Sequence, residues 1–290
     1  ACSYNVGIGN NVMDAAMNGA LYNIGMGYGV LSGLTTGDSN VALGHGAGIS
    51  LTTGANNVLI GRATGDAHTS LQGTVIIGHF AGSAINNNNS DYSVMIGYNA
   101  GISVTSGTSN HLIGYYAGRY LSTNGYNTMF GHETGAHMNG SSNTFIGYYA
   151  GRGSSSSSPY GNGGNNVAIG REALVAISSG SQNIAIGRDA LKATTDGDYN
   201  IALGYQAGDA ITTTSNTVLI GHSAGTAINA TGANGTVAIG YEALTALTSG
   251  TNNTAVGYQA MQEHVTGNNN TVIGYGAMND SNGQAAENNT

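Results

Sequence analysis

One interval governs this chain. A short, largely apolar run closed by glycine returns sixteen times between Gly9 and Gly274, at a spacing of seventeen residues over most of the length. It is plainest in "NIAIGRDALKATTDGDYNIALGYQAG", residues 183–208, where Asn183-Ile-Ala-Ile-Gly187 comes back as Asn200-Ile-Ala-Leu-Gly204. Successive anchor glycines lie 16 to 19 residues apart, except for one interval of 23. Such a unit is too short for a helical pair or a propeller blade. It suits one coil of a parallel β-solenoid, whose coils stack about 4.8 Å apart. Extra residues at Asn86–Asp91, Arg152–Gly164 and Asn229–Gly235 read as loops bulging from single coils, because loops absorb length cheaply. The expectation is an all-β chain: a parallel β-solenoid of about sixteen 17-residue coils forming one repeat domain over 1–282. Residues 283–290 read as a polar tail or the start of a further repeat.

Composition decides between order and disorder. Gly supplies 49 residues and charged residues only 7%, but 40% are hydrophobic and 17 are Tyr, spread along the whole length. Disordered chains lack such side chains, so an ordered repeat is expected. A net charge of −8 with six Lys and Arg leaves no basic surface for nucleic acid or anionic lipid. No apolar run approaches the roughly 18 residues of a membrane span. With no initiator Met and no leader pattern, the chain is expected to be a mature product or a fragment. Cys2 is the one cysteine, which leaves no internal disulfide; it reads as a free thiol rather than a crosslink.

Local chemistry agrees with tight coils. A second glycine follows most anchors, as at Gly37, Gly54, Gly107, Gly180, Gly197, Gly250 and Gly267, and is expected to supply a positive φ at a turn. Asn stands four residues before the anchor in twelve of sixteen coils, where stacked amides can bond to one another. The residue just before the anchor is always large and apolar, from Ile8 to Ile273, and is expected to fill the coil with the residue two earlier. The residue between them should then face outward, yet it is never polar. Leu59, Ile76, Met95, Leu112, Met129, Phe145, Leu219 and Val272 are its larger members, and Ala or Gly fills all the rest. Strands buried on both faces read as continuous apolar runs. This middle column is therefore expected to be a subunit interface, with a copy of the chain as the simplest cover.

The runs "NNVAIGREAL" at 165–174, "NIALGYQAG" at 200–208 and "NTAVGYQAM" at 253–261 resemble the head repeats of trimeric autotransporter adhesins and similar repeats of bacteriophage tail fibres. The likeness spans essentially all the coils, from Asn5 to Met278. It implies a left-handed parallel β-roll with three rolls side by side. Coils in the adhesin heads are shorter, and neither the membrane anchor of those adhesins nor the C-terminal chaperone of many fibres is present in this sequence.

The residue after the anchor forms a further column of eight Tyr, four His and three Arg, with Asn10. It includes Tyr98, Tyr115, Tyr148, Tyr205, Tyr241, Tyr258 and Tyr275. A ligand ladder and a structural stack both fit, since aromatic rings stack on sugars as well as on each other; the structural stack is the stronger reading. No His pair has zinc-site spacing, so no metal or cofactor is expected. "GMGYGV" at 25–30 has the look of a nucleotide loop but lacks the helix and acidic residue that would follow. "DGD" at 196–198 occurs once, whereas calcium solenoids carry ligands in every coil. Thr-Thr pairs at 35–36, 52–53, 194–195 and 212–213 hint at an ice-binding face, but other coils break the column. Asn-x-Ser/Thr triplets such as Asn139-Gly-Ser141 arise readily in this composition and say little about glycosylation.

These observations point to a structural and adhesive extracellular fibre segment on a cell or virion surface. It is expected to be homotrimeric and to attach by multivalent contact with a glycan or protein receptor, through the three insertions. A filament that stacks end to end through uncapped coils is the alternative. A depolymerase on a β-helical scaffold would need clustered carboxylates, whereas the 14 acidic residues are scattered, so no enzyme is expected.

Overall fold

The fold is given by a computed structural model that describes residues 3–86, 90–154, 160–229, 231–279 and 288. Cys2, parts of all three insertions and nearly all of 283–290 lie outside the described residues. The chain is an all-β parallel solenoid and divides into two compact units, 1–142 and 143–290. In the first, β1 (Val6–Asn10), β2 (Ile24–Tyr28), β3 (Val41–His45), β4 (Val58–Ile60), β5 (Val75–Ile77), β6 (Val94–Ile96), β7 (His111–Ile113) and β8 (Thr128–Phe130) pair in chain order. In the second, β9 (Thr144–Ile146), β10 (Val167–Ile169), β11 (Ile184–Ile186), β12 (Ile201–Leu203), β13 (Val218–Ile220), β14 (Val237–Ile239), β15 (Thr254–Val256) and β16 (Thr271–Ile273) do the same. Every pair is parallel and in register, as in Val41↔Val58, Ala42↔Leu59 and Leu43↔Ile60. The third insertion carries a short 3-10 turn at Thr231–Ala233.

The strand faces are the reverse of the sequence expectation. The middle residue of each run points into its own coil. Leu59, Ile76, Met95, Leu112, Met129, Phe145 and Leu219 are 0% exposed within one chain, and Val272 is 6% exposed. They cannot form a subunit interface. The residues on either side of them face outward. The cause is parity: the middle residue shares its side of the strand with the asparagine two before it and the anchor glycine two after it. That asparagine is fully buried in coil after coil, as at Asn40, Asn57, Asn183 and Asn200. Further round each coil, an Ala or Thr column (Ala47, Thr64, Ala81) and a Leu or Ile column (Leu34, Leu51, Ile85) complete the core.

A size rule packs this narrow interior. Four residues after the anchor lies a corner position that alternates with the middle column. Where the middle residue is Gly or Ala, the corner is Leu or Met in most coils, as in Gly25 with Leu31, Ala168 with Leu174 and Ala185 with Leu191. Where the middle residue is Leu, Ile, Met or Phe, the corner is Gly without exception. Two coils, Ala42 with Gly48 and Ala202 with Gly208, are small at both positions. There, a Cβ at Gly48 would lie 2.7 Å from Leu59 in the next coil and 3.0 Å from Leu31 in the coil before. A Leu corner therefore occurs only with Gly or Ala as the middle residue of its own coil and of the one that follows, while Val272 goes with a Met corner, Met278. Close packing of this kind tolerates neither voids nor overlap.

Asparagine ties the coils together. In the first unit, the Nδ2 groups of Asn23, Asn40 and Asn57 donate to the Oδ1 of the preceding asparagine at 3.1, 3.0 and 2.9 Å. The same amides reach the far turn, with Asn40 Nδ2 donating to the Gly54 carbonyl at 2.9 Å. In the second unit, Asn166 and Asn183 repeat the pattern, and Thr217 takes an asparagine's place by donating Oγ1–H to Asn200 Oδ1 at 2.8 Å. These buried amides spend their polar groups on each other and on turn backbone, as burial requires.

Positive φ is needed at the anchors more than at the second glycines. Gly61 and Gly204 have φ of 135° and 138°, and a Cβ there would lie 2.6 and 2.4 Å from the next anchor's carbonyl oxygen. Of the second glycines, Gly250 and Gly267 have positive φ, but Gly37, Gly54, Gly107, Gly180 and Gly197 do not. Those five are small for another reason: the neighbouring backbone is too close, with a Cβ at Gly37 falling 2.0 Å from the Gly54 oxygen.

Candidate functional site: the outer strand face

In-register pairing lines up three outward columns in each unit. The residue just before the anchor supplies the first, with Ile8, Met26 and Phe130 exposed by 53%, 47% and 55% in the first unit. In the second, Ile146, Ile186 and Ile273 are exposed and the others half-buried. Val, Ile or Thr two residues earlier makes the second column, with His111 the one exception. Eight coils at about 4.8 Å, with columns about 7 Å apart, give each unit a largely apolar strip of roughly 270 Å². That is close to the roughly 300–600 Å² of the largest patch on an ordinary soluble monomer. Covering a half-exposed Ile and its Val neighbour contributes about 2 kcal/mol per coil.

The third column is the one that follows the anchors, and its rings stack along the unit. His79 lies 5.3 Å from Tyr98, Tyr98 5.5 Å from Tyr115, and Tyr115 4.9 Å from His132. In the second unit Tyr205, His222, Tyr241, Tyr258 and Tyr275 follow at 5.0 to 5.1 Å. Arginine continues the stack where rings stop: the Arg171 guanidinium sits 6.0 Å from the Tyr148 ring, and that of Arg188 sits 5.5 Å from Tyr205. The tyrosines stay partly open, from 37% at Tyr205 to 82% at Tyr275. Offset stacking of this kind supports the coil spacing and leaves the ring edges available.

Charge is sparse and local beside these columns. Lys192 Nζ lies 2.8 Å from Glu172 Oε2 and 3.0 Å from Asp189 Oδ1, linking neighbouring coils. Its hydrogen bond holds the Glu172 carboxyl below the usual carboxylate range, and the same pairing raises the lysine. Hydrogen bonding to Glu242 pushes the Tyr241 phenol above its ordinary range. Among the described residues, no group of three His, Cys, Asp or Glu side chains is placed to hold a metal ion. No helix among them is long and apolar enough to cross a membrane.

Two features escaped the sequence reading. Side-chain size alone places the outward columns in the interior, because they hold the largest residues, although the buried asparagine parity and the size rule both mark the opposite face. Tyr92 and Tyr126, five residues before their anchors, are 65% and 66% exposed and belong to none of the three columns. No protein-family model, curated protein or solved structure matches the chain.

Proposed function

We propose that this chain is a structural and adhesive segment of an extracellular fibre, of phage tail-fibre or bacterial surface-adhesin type, built from three copies side by side. The observation that carries this reading is the outward Ile and Val strip, repeated without a polar break along the column before the anchors. A sister chain is the simplest cover for a strip with this periodicity, because only another solenoid matches its coil spacing. Three-fold association also follows from the resemblance to adhesin heads and tail-fibre repeats. The half-open ring column beside the strip would then line the seam. Attachment in this account comes from reach, rigidity and many weak contacts rather than from catalysis.

Lysine in the outward column tests it. In the double variant Ile60→Lys/Ile96→Lys the assembly should fall apart into single chains while far-UV circular dichroism stays unchanged. An assembly mass identical to that of the parent protein would count against the reading.

A further inference from the structure

The column five residues before the anchor carries tyrosine in five of the sixteen coils, and at Ser109 a coil without a ring lies between two that have one. Tyr4 and Tyr22 occupy this column in consecutive coils and stack at 5.1 Å with planes 7° apart. Tyr92, Ser109 and Tyr126 occupy it in three consecutive coils, each seventeen residues from the next. Backbone bonds hold them in step: Ser109 N–H donates to the Asp91 carbonyl at 3.4 Å and Tyr126 N–H to the Thr108 carbonyl at 3.0 Å. Two coils at about 4.8 Å separate the tyrosines by about 10 Å, twice the stacking distance. Both tyrosines line a groove of about 530 Å³, together with Asp91, Thr108, Asn124 and Ser141. That volume is within the roughly 300–1,000 Å³ of small-ligand sites.

We propose that Tyr92 and Tyr126 form a slot for one neutral pyranose ring of a glycan, which occupies the rung left empty at Ser109. The two faces of a pyranose present C–H groups to the flanking rings, and its edge presents hydroxyls. The slot supplies partners for those hydroxyls. Asp91 Oδ1 already accepts the Gln72 N–H at 2.9 Å, and a carboxylate has further acceptor capacity. Ser141 Oγ–H donates to Asn124 Oδ1 at 3.1 Å, which leaves the Ser141 oxygen able to accept a hydroxyl proton. A flat hydrocarbon ring would leave this polar rim unpaired, and the Asp91 charge disfavours acidic sugars. The site stands whether or not three chains associate, because every residue in it belongs to one chain.

Saturation-transfer NMR on the full chain tests the slot, with the methyl glycosides of glucose, galactose, mannose and N-acetylglucosamine as probes and p-cresol as an aromatic control. At least one glycoside should receive transfer on its ring C–H protons, with Kd near ~1 mM. Tyr92→Ala and Tyr126→Ala should each weaken it about tenfold, the size of one lost stacking contact. Ser109→Tyr should fill the rung with the chain's own ring, abolish binding and leave the melting temperature unchanged or higher. Transfer to none of the glycosides, transfer to p-cresol alone, or undiminished binding by a folded Ser109→Tyr variant would each overturn the proposal. Native mass of the same sample reports the assembly separately, so failure of the slot and failure of the trimer are distinguishable.

Discussion

The ring of Phe145 occupies the space a side chain on Gly151 would need: a Cβ built at 151 falls 2.5 Å from the ring's Cδ2 and Cε2. The next coil solves the same problem the other way round, with Ala168 in the middle and Leu174 at the corner, both fully buried. The corner backbone is alike in the two coils, with φ of 54° at Gly151 and 51° at Leu174. Core volume is thus traded between two positions six residues apart in most coils.

Exchanging the two sizes makes this trade measurable. Phe145→Ala alone should cost about 3–5 kcal/mol through lost burial and a cavity. Adding Gly151→Leu should recover a large part of it, because Ala168 in the following coil leaves the corner room. The analogous exchange Leu112→Ala/Gly118→Leu should give no rescue, since Met129 Sδ already lies 3.4 Å from a Cβ at 118. Urea denaturation of the single and double variants checks both statements.

The asparagine ladder should break at one rung. Asn183 donates to Asn166 Oδ1 at 3.1 Å and to the Gly197 carbonyl at 2.8 Å, and accepts the Asn200 N–H at 3.0 Å. Asn183→Leu removes all three and leaves buried partners unpaired, at a cost of about 2–4 kcal/mol. Asn183→Thr should cost less, since threonine serves in the ladder at Thr217. The midpoints of chemical unfolding rank the two variants.

His264 should make the fold sensitive to mild acid. It is buried in a column that holds Leu247 one coil earlier, and neither ring nitrogen has a hydrogen-bond partner among the described residues. Burial lowers its pKa below the ordinary 6.5, so the unfolded chain takes up a proton first as the pH falls. The neutral histidine's share of stability is therefore complete above about pH 6.5 and declines as the pH drops through that range. His264→Leu should raise the melting temperature and flatten its fall between about pH 7.5 and 5. Calorimetry at several pH values gives the two slopes.

Much of this architecture was legible in the sequence, because a period of seventeen with a glycine anchor admits few folds. The stacking of Asn40 on Asn23, the register of Val41 on Val58 and the ring stack of Tyr241 on Tyr258 follow directly from that interval. Inside and outside were misread because side-chain size suggested that Ile60 is core and Ala42 is surface. A coil this narrow has room for Ala42 with Gly48, or for Leu59 with Gly65, but not for a second row of isoleucines. The inverse sizes at Phe145 and Gly151, or Ala168 and Leu174, were present in the sequence and identify both positions as facing one core. The slot at Tyr92 and Tyr126 was not legible, because the spacing gives the ringless coil at Ser109 but not the groove that both rings line.

Sedimentation equilibrium of the unmodified protein, repeated over a range of micromolar concentrations, bears most directly on whether the Ile8-to-Ile273 column is covered by sister chains. Three chains of 29.0 kDa in one discrete particle is the predicted result. A soluble, well-behaved particle of one chain, with that column open to water, would contradict it.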